Sequence, residues 1–216
     1  MAPRPVIHAV DDDRCFREAL ERTLRTTGHC VQGYSCASAF LEALDPSVPG
    51  CLITDLRMPD MNGLELQRTL REREIRLAIV FISGHGDTTQ AIAALKSGAI
   101  DFLEKPFGEQ ALLRSVARAL EKDSADRRLA GERALVMQRF SNLTRREQQI
   151  FALIVSDLPN KEIARQLRIS PRTVEHHRES AMLKMQAQSF SELITMSVLC
   201  GIREIHLALP QQSPGS

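Results

Sequence analysis

The residues of this 216-residue chain best suited to chemistry are a tandem acid, Asp11-Asp12, an Asp55 set among apolar Ile53 and Leu56, Ser83, and Lys105. Brought to one place, three carboxylates would repel one another unless a cation neutralised them. A hard divalent ion with oxygen ligands does this, and Mg2+ also keeps waters and recruits phosphate oxygens. The set therefore points to metal-assisted phosphoryl handling. Asp55 is the natural in-line nucleophile, since a carboxylate can attack phosphorus and form an acyl phosphate. Asp11 and Asp12 would hold the metal, while Lys105 and the Ser83 hydroxyl would each face a phosphoryl oxygen. Gly84 and Gly86 would let the backbone approach closely. Taken singly, each feature is ordinary: an acidic run is usually a solvated loop, Asp13 is a candidate helix N-cap, and one Lys-Pro step means little.

What makes the set more than coincidence is the alternation that positions it. The apolar run PVIHAV (5–10) stops at Asp11, and the following RCFREALERTL places Phe16, Leu20 and Leu24 on one helical face, closed by Gly28. CVQGYS then precedes ASAFLEAL, CLITDL precedes LELQRTLRERE, AIVFIS precedes TTQAIAALKSGA, and IDFLEK precedes EQALLRSVARALEK. Strand and helix alternating five times predict an α/β, flavodoxin-like, doubly wound five-stranded parallel sheet. Ligands of such sheets sit at the carboxyl ends of the strands, where the five chemical residues fall.

Composition agrees with a globular protein: 43% hydrophobic, 25% charged, formal net charge +1. Residues 1–123 carry 15 basic against 18 acidic side chains, whereas 143–216 carry 9 against 7, so the front is acidic and the back mildly basic. The five cysteines (Cys15, Cys30, Cys36, Cys51, Cys200) form no CxxC pair or zinc spacing and read as buried thiols in a reducing compartment. No run approaches the ~20 apolar residues of a membrane span, and a cytoplasmic protein is expected.

The segments AVDDD, LITDLRMPDMNG, FISGHGD and DFLEKPF, in this order over residues 5–121, resemble the receiver domain of bacterial two-component response regulators. That resemblance implies that Asp55 is the phosphoacceptor and that Asp11, Asp12, Asp55 and the backbone carbonyl of Arg57 hold Mg2+ (or Mn2+). It implies Ser83 and Phe102 as the hydroxyl and aromatic switch positions, Lys105 as the lysine of the site, and a cis Lys105-Pro106 bond. It also implies a sensor histidine kinase as phosphoryl source.

Residues 122–141 (KDSADRRLAGERALVMQRFS) are charged, with Leu129, Ala134, Leu135 and Phe140 as their apolar positions, and predict a mostly helical linker. From Leu143 the pattern is helical. Thr144 with Glu147 forms a capping box, Ile150, Leu153 and Ile154 form an apolar face, and Pro159-Asn160 opens a short helix, KEIARQL. Arg168-Ile169-Ser170 turns into Pro171 at the start of RTVEHHRESAMLKM, and SELITMSVLCGI makes a last helix. A polar second helix after a three-residue turn has the geometry to enter a major groove, although clusters of helices are often only packed helices. NKEIA and SPRTVE resemble the LuxR/NarL-type helix-turn-helix, and the whole chain resembles the FixJ subfamily of response regulators. The resemblance implies that Lys161, Arg172, Arg178 and Lys184 touch phosphates and that Thr173, Glu175, His176 and Glu179 face the groove. Glutamates there can accept from cytosine N4, and His176 stands where the subfamily more often has an aliphatic residue.

The organisation expected is a receiver over 1–123, a helical linker over 124–141, a DNA-binding domain over 142–208 and a disordered tail over 209–216. Phosphorylation of Asp55 would draw Ser83 and Phe102 inward and re-form the surface around the fourth and fifth helices and fifth strand. Receivers would then pair, or release the DNA-binding domain, at promoter DNA, with RNA polymerase as a further partner. The chain is read as a regulator that at most slowly removes its own phosphoryl group, not a turnover enzyme. Two rivals stand beside this reading. A Mg2+-dependent phosphohydrolase would usually carry an acid two residues after its nucleophile, where this chain has Arg57. A constitutive DNA binder with a scaffold receiver would not need Asp11, Asp12, Asp55, Ser83 and Lys105 together.

Overall fold

The computed structural model describes residues 3–84, 88–156, 158–199 and 201, leaving aside the side chains of residues 88–90 and 93. The chain forms two compact units, Met1–Arg127 and Arg128–Ser216. His85 and Gly86, Cys200 and the tail 209–216, all singled out in the sequence, lie outside the described residues.

In the first unit the strands β1 (Val6–Val10), β2 (Cys30–Tyr34), β3 (Gly50–Asp55), β4 (Ala78–Ser83) and β5 (Asp101–Glu104) alternate with helices α1 (Arg14–Thr26), α2 (Ala37–Ala43), α3 (Gly63–Glu72), α4 (Thr88–Lys96) and α5 (Glu109–Ser141). The strands are all parallel in the order β2-β1-β3-β4-β5, the doubly wound sheet the alternation predicts. The central strands are apolar on both faces because helices cover both. Ile7, Ala9, Ile53, Val80 and Ile82 pack with Leu20, Leu24, Leu112, Val116 and Ala119 from α1 and α5. Their neighbours Val10, Leu52, Ile79 and Phe81 point the other way, to Phe40, Leu66, Leu70 and Ala94 of α2, α3 and α4. Each large apolar side chain buried this way contributes roughly 1.5–3 kcal/mol.

The residue closing α1 adopts a conformation glycine tolerates best, Gly28 with φ +85°. Asp13 caps the start of α1, accepting from the backbone N–H groups of Cys15 (2.8 Å) and Phe16 (3.1 Å). Among the described residues the expectation of buried thiols holds for Cys51, whose burial pushes the thiol up to about 12, while Cys36 is half-buried. Cys15 and Cys30 are exposed, because one lies on the outer face of α1's first turn and the other opens the edge strand β2. Among the described residues no helix is long and apolar enough to cross a membrane.

The second unit contains α6 (Arg145–Val155), α7 (Asn160–Leu167), α8 (Pro171–Met185) and α9 (Phe190–Leu199), joined by the closing turns of α5. Ile150, Leu153, Ile154, Ile163, Ala164 and Val174 form one apolar cluster, and Phe151, Val155, Ala181, Met185, Leu193 and Met196 another. Within residues 122–141 the buried apolar side chain is Val136, whereas Leu129 and Leu135 are 48% and 47% exposed. Of the apolar positions expected there, Phe140 packs against the Phe151 cluster, Leu129 and Leu135 do not, and Val136 joins it without having been singled out.

Candidate functional site

Strand register assembles the first site. Val10 pairs with Thr54, Asp55 with Ile82, and Ser83 with Glu104. Asp11, Asp55, Ser83 and Lys105 therefore stand within one residue of a common level at the carboxyl edge, where β1 and β3 adjoin at the point the winding reverses. Lys105 Nζ donates to Asp55 Oδ2 at 2.7 Å and to Asp11 Oδ2 at 2.9 Å. The Asp11 side chain is 3% exposed and that of Asp55 12%. Burial holds the Asp11 carboxyl above its ordinary range despite the ammonium beside it. Lys105 is held above its usual range: burial pushes it down, and its bonds to Asp55 and Asp11 outweigh that. The second oxygen of Asp55, Oδ1, accepts the backbone N–H of Arg57 at 2.9 Å.

Asp12 is exposed beside this pair and, with Leu56, Arg57 and Asn62, lines a surface pocket at the mouth of the site. Among the described residues no three His, Cys, Asp or Glu side chains converge as a ready metal cluster. Ser83 is fully buried at the end of β4. Phe102 is half-buried at the rim of the α4-side core and has exposure to lose. Gly84 has open space where a Cβ would stand. At Gly63 a Cβ would lie 2.6 Å from the Asp55 carbonyl oxygen and 2.8 Å from Phe81 Cε1. The Lys105-Pro106 peptide is cis.

Two neighbours escaped the sequence reading. Lys105 Nζ sits 3.8 Å from the centroid of the Phe16 ring, which Phe107 meets edge-on. Arg17 donates to the Asp11 carbonyl. Phe16 was legible only as part of α1's apolar face, and nothing local marked Arg17.

The second site is the α7–α8 pair. Arg168 closes α7 in the left-handed region (φ 53°), and Ser170 caps α8 by accepting the Thr173 N–H at 3.0 Å, with Pro171 in the first turn. Arg172, Glu175, His176 and Glu179, spaced three and four apart, are all exposed, while Val174, Ala181 and Met185 are buried. Lys161 is exposed at the start of α7, and Thr173 is half-buried in the cap. Two residues expected at phosphates have protein partners. Arg178 lies over the Phe190 ring at 5.1 Å and reaches Asn160 Oδ1 at 3.4 Å. Lys184 Nζ contacts Glu147 Oε2 at 2.7 Å and Oε1 at 2.9 Å. Glu147, read from sequence only as a capping residue, does cap α6 with Thr144, and it is also 4% exposed and ion-paired.

Comparison with known proteins gives both units relatives. Residues 7–117 match the response regulator receiver domain, and residues 141–197 match the bacterial regulatory proteins of the luxR family. The transcriptional regulatory protein FixJ of Azorhizobium caulinodans is 41% identical over 94% of this chain and 97% of its own. The response regulator protein TodT of Pseudomonas putida is 40% identical over 89% of this chain and 85% of its own. Among solved structures, response regulator StyR superposes with a TM-score of 0.77 at 42% identity over 90% of this chain and 98% of that one. Full-length FixJ from B. japonicum gives 0.56 at 34% identity, covering 93% of this chain and 98% of that one.

Proposed function

Because this chain belongs to the DNA-binding two-component response regulators of the FixJ/LuxR type, we propose that a sensor histidine kinase switches it by phosphorylating Asp55. The observation that carries this reading is the Lys105 ammonium held between the Asp55 and Asp11 carboxylates at the carboxyl edge of the sheet. In the transfer an Asp55 oxygen forms the new O–P bond as the N–P bond of the kinase's phosphohistidine breaks, its electron pair leaving with the imidazole. Lys105, already 2.7 Å from Asp55 Oδ2, re-aims its ammonium at a phosphoryl oxygen. The Ser83 hydroxyl donates to another, and Phe102 turns in behind it.

The donor set suits Mg2+ or Mn2+. The carboxylates of Asp11, Asp12 and Asp55 and the Arg57 carbonyl are all hard oxygens, and buried Asp11 already requires a cation beside it. When bound, such an ion neutralises charge on the phosphoryl oxygens, and water completes a shell that protein groups leave open. Water reaching the acyl phosphate accounts for slow self-dephosphorylation without turnover of an outside substrate.

The second unit presents Glu175, His176 and Glu179 to the major groove of promoter DNA, with Lys161 and Arg172 at the phosphates. Phosphorylation favours dimers, a population shift of a few kcal/mol that one dianionic group can supply, and the paired second units engage RNA polymerase in the cytoplasm. Intact-mass measurement after incubation with acetyl phosphate and Mg2+ tests the first step. One added phosphoryl group is expected on the wild type and none on Asp55→Asn; equal labelling of both would remove Asp55 from its role.

A further inference from the structure

We propose that Glu147 and Lys184 are positioning residues for DNA reading: they lock the angle and register of α8, and Lys184 does not serve as a phosphate contact. The inference rests on the second unit's reading of duplex DNA.

The carboxylate of Glu147 is saturated from two helices. Oε2 accepts the backbone N–H (2.7 Å) and hydroxyl (3.0 Å) of Thr144 at the start of α6. Oε1 accepts the hydroxyl of Ser180 (2.5 Å), and Lys184 Nζ contacts both oxygens. Ser180 and Lys184 are four apart on α8, so a single buried group grips two successive turns of that helix. The preceding residue holds the other helix of the pair: Arg146 donates to the Leu167 carbonyl at the end of α7 at 2.7 Å. Two adjacent side chains at the start of α6 thus fix both α7 and α8.

Such a grip is needed because the apolar face of α8 specifies position weakly. Its buried members Val174, Ala181 and Met185 include a small side chain and a flexible one, and hydrophobic contact is non-directional. Groove reading requires side chains held to within about 0.5 Å and 10–20°, which directional charge-assisted bonds supply. The lysine's charge is spent here: its side chain is 36% exposed, yet its ammonium faces a carboxylate that is 6% exposed. Replacing a phosphate contact lowers the slope of log affinity against log salt by about 0.9, whereas replacing a positioning residue leaves the slope alone and erodes specificity.

The test uses the full-length chain with acetyl phosphate and Mg2+, a duplex that the wild type selects from a random library, and poly(dI-dC) as non-specific competitor. Lys184→Met is expected to weaken binding to the selected duplex about tenfold, leaving poly(dI-dC) binding and the salt slope unchanged. Lys184→Arg, which keeps a cation at Glu147, restores most of the loss and covers the case in which Lys184→Met fails to fold. Arg172→Ala serves as the phosphate control and lowers the slope by about 0.9. A Lys184→Met slope reduced as in Arg172→Ala, with both DNAs weakened alike, overturns the inference, and so does unchanged binding to both. A wild type that selects no duplex overturns the DNA-reading premise itself, an outcome distinct from any change among the variants.

Discussion

Lys105 sits where the buried Asp11 and half-buried Asp55 carboxylates need compensation, and its replacement separates electrostatic from catalytic roles. Lys105→Met should destabilise the first unit by about 1–3 kcal/mol at neutral pH, measured by denaturant unfolding, with Mg2+ recovering more stability than it adds to the wild type. Loss of stability that Mg2+ does not mend would argue against a cation at Asp11 and Asp55. Glu147 gives a pH signature in the second unit. Burial alone would raise its carboxyl, but the bonds from Lys184, Ser180 and Thr144 prevail and hold it at about 2, against an ordinary 4.5. A lowered folded value stabilises above the unfolded pKa, and that stabilisation drains away as pH falls from about 4.5 towards 2. The wild-type thermal midpoint should therefore fall more steeply through that window than that of Glu147→Gln; parallel curves would contradict the pairing. Asp11, Asp12, Asp55, Ser83 and Lys105 were legible because each follows or ends an apolar strand run. Phe16, Arg17 and the second role of Glu147 were not, since their partners lie far along the chain or in backbone atoms.

Among the elements, α3 shows how closely the scaffold is fitted to the site. Its first residue, Gly63, lies against the carbonyl of Asp55 and the ring of Phe81, and the capping box of Asn62 and Glu65 fixes the helix start there. Gly63→Ala should cost about 1–3 kcal/mol and slow labelling by acetyl phosphate, because the strand end carrying Asp55 must shift; unchanged labelling would show that α3 yields instead. At the far edge of the sheet, Asp123 on α5 accepts the Gly50 N–H and a two-pronged pair from Arg127, which also donates to the carbonyls of Pro46, Ser47 and Val48. Arg127→Ala strands a carboxylate that is only 3% exposed and should lower first-unit stability by about 3 kcal/mol in a denaturant melt. Strand and helix order was readable from apolar periodicity. The packed face of α5 was not, because among charged residues Leu129, Leu135 and Val136 look alike until a partner decides that Val136 is inside.

Taken whole, the chain joins a unit whose acids gather at one sheet edge to a unit whose exposed helix face carries Arg172, Glu175, His176 and Glu179. The weak charge asymmetry hinted at this division of labour. The motifs at strand ends and the turn before Pro171 made it specific, and the relatives found for each unit agree with it. On the proposed function, a phosphoryl group on Asp55 governs DNA binding. Promoter-DNA affinity and oligomeric state, measured with and without acetyl phosphate and Mg2+ for wild type and Asp55→Asn, decide whether it does. Dimers and tighter binding on donor addition are expected in the wild type alone; equal binding by both proteins regardless of donor would leave the first unit a scaffold.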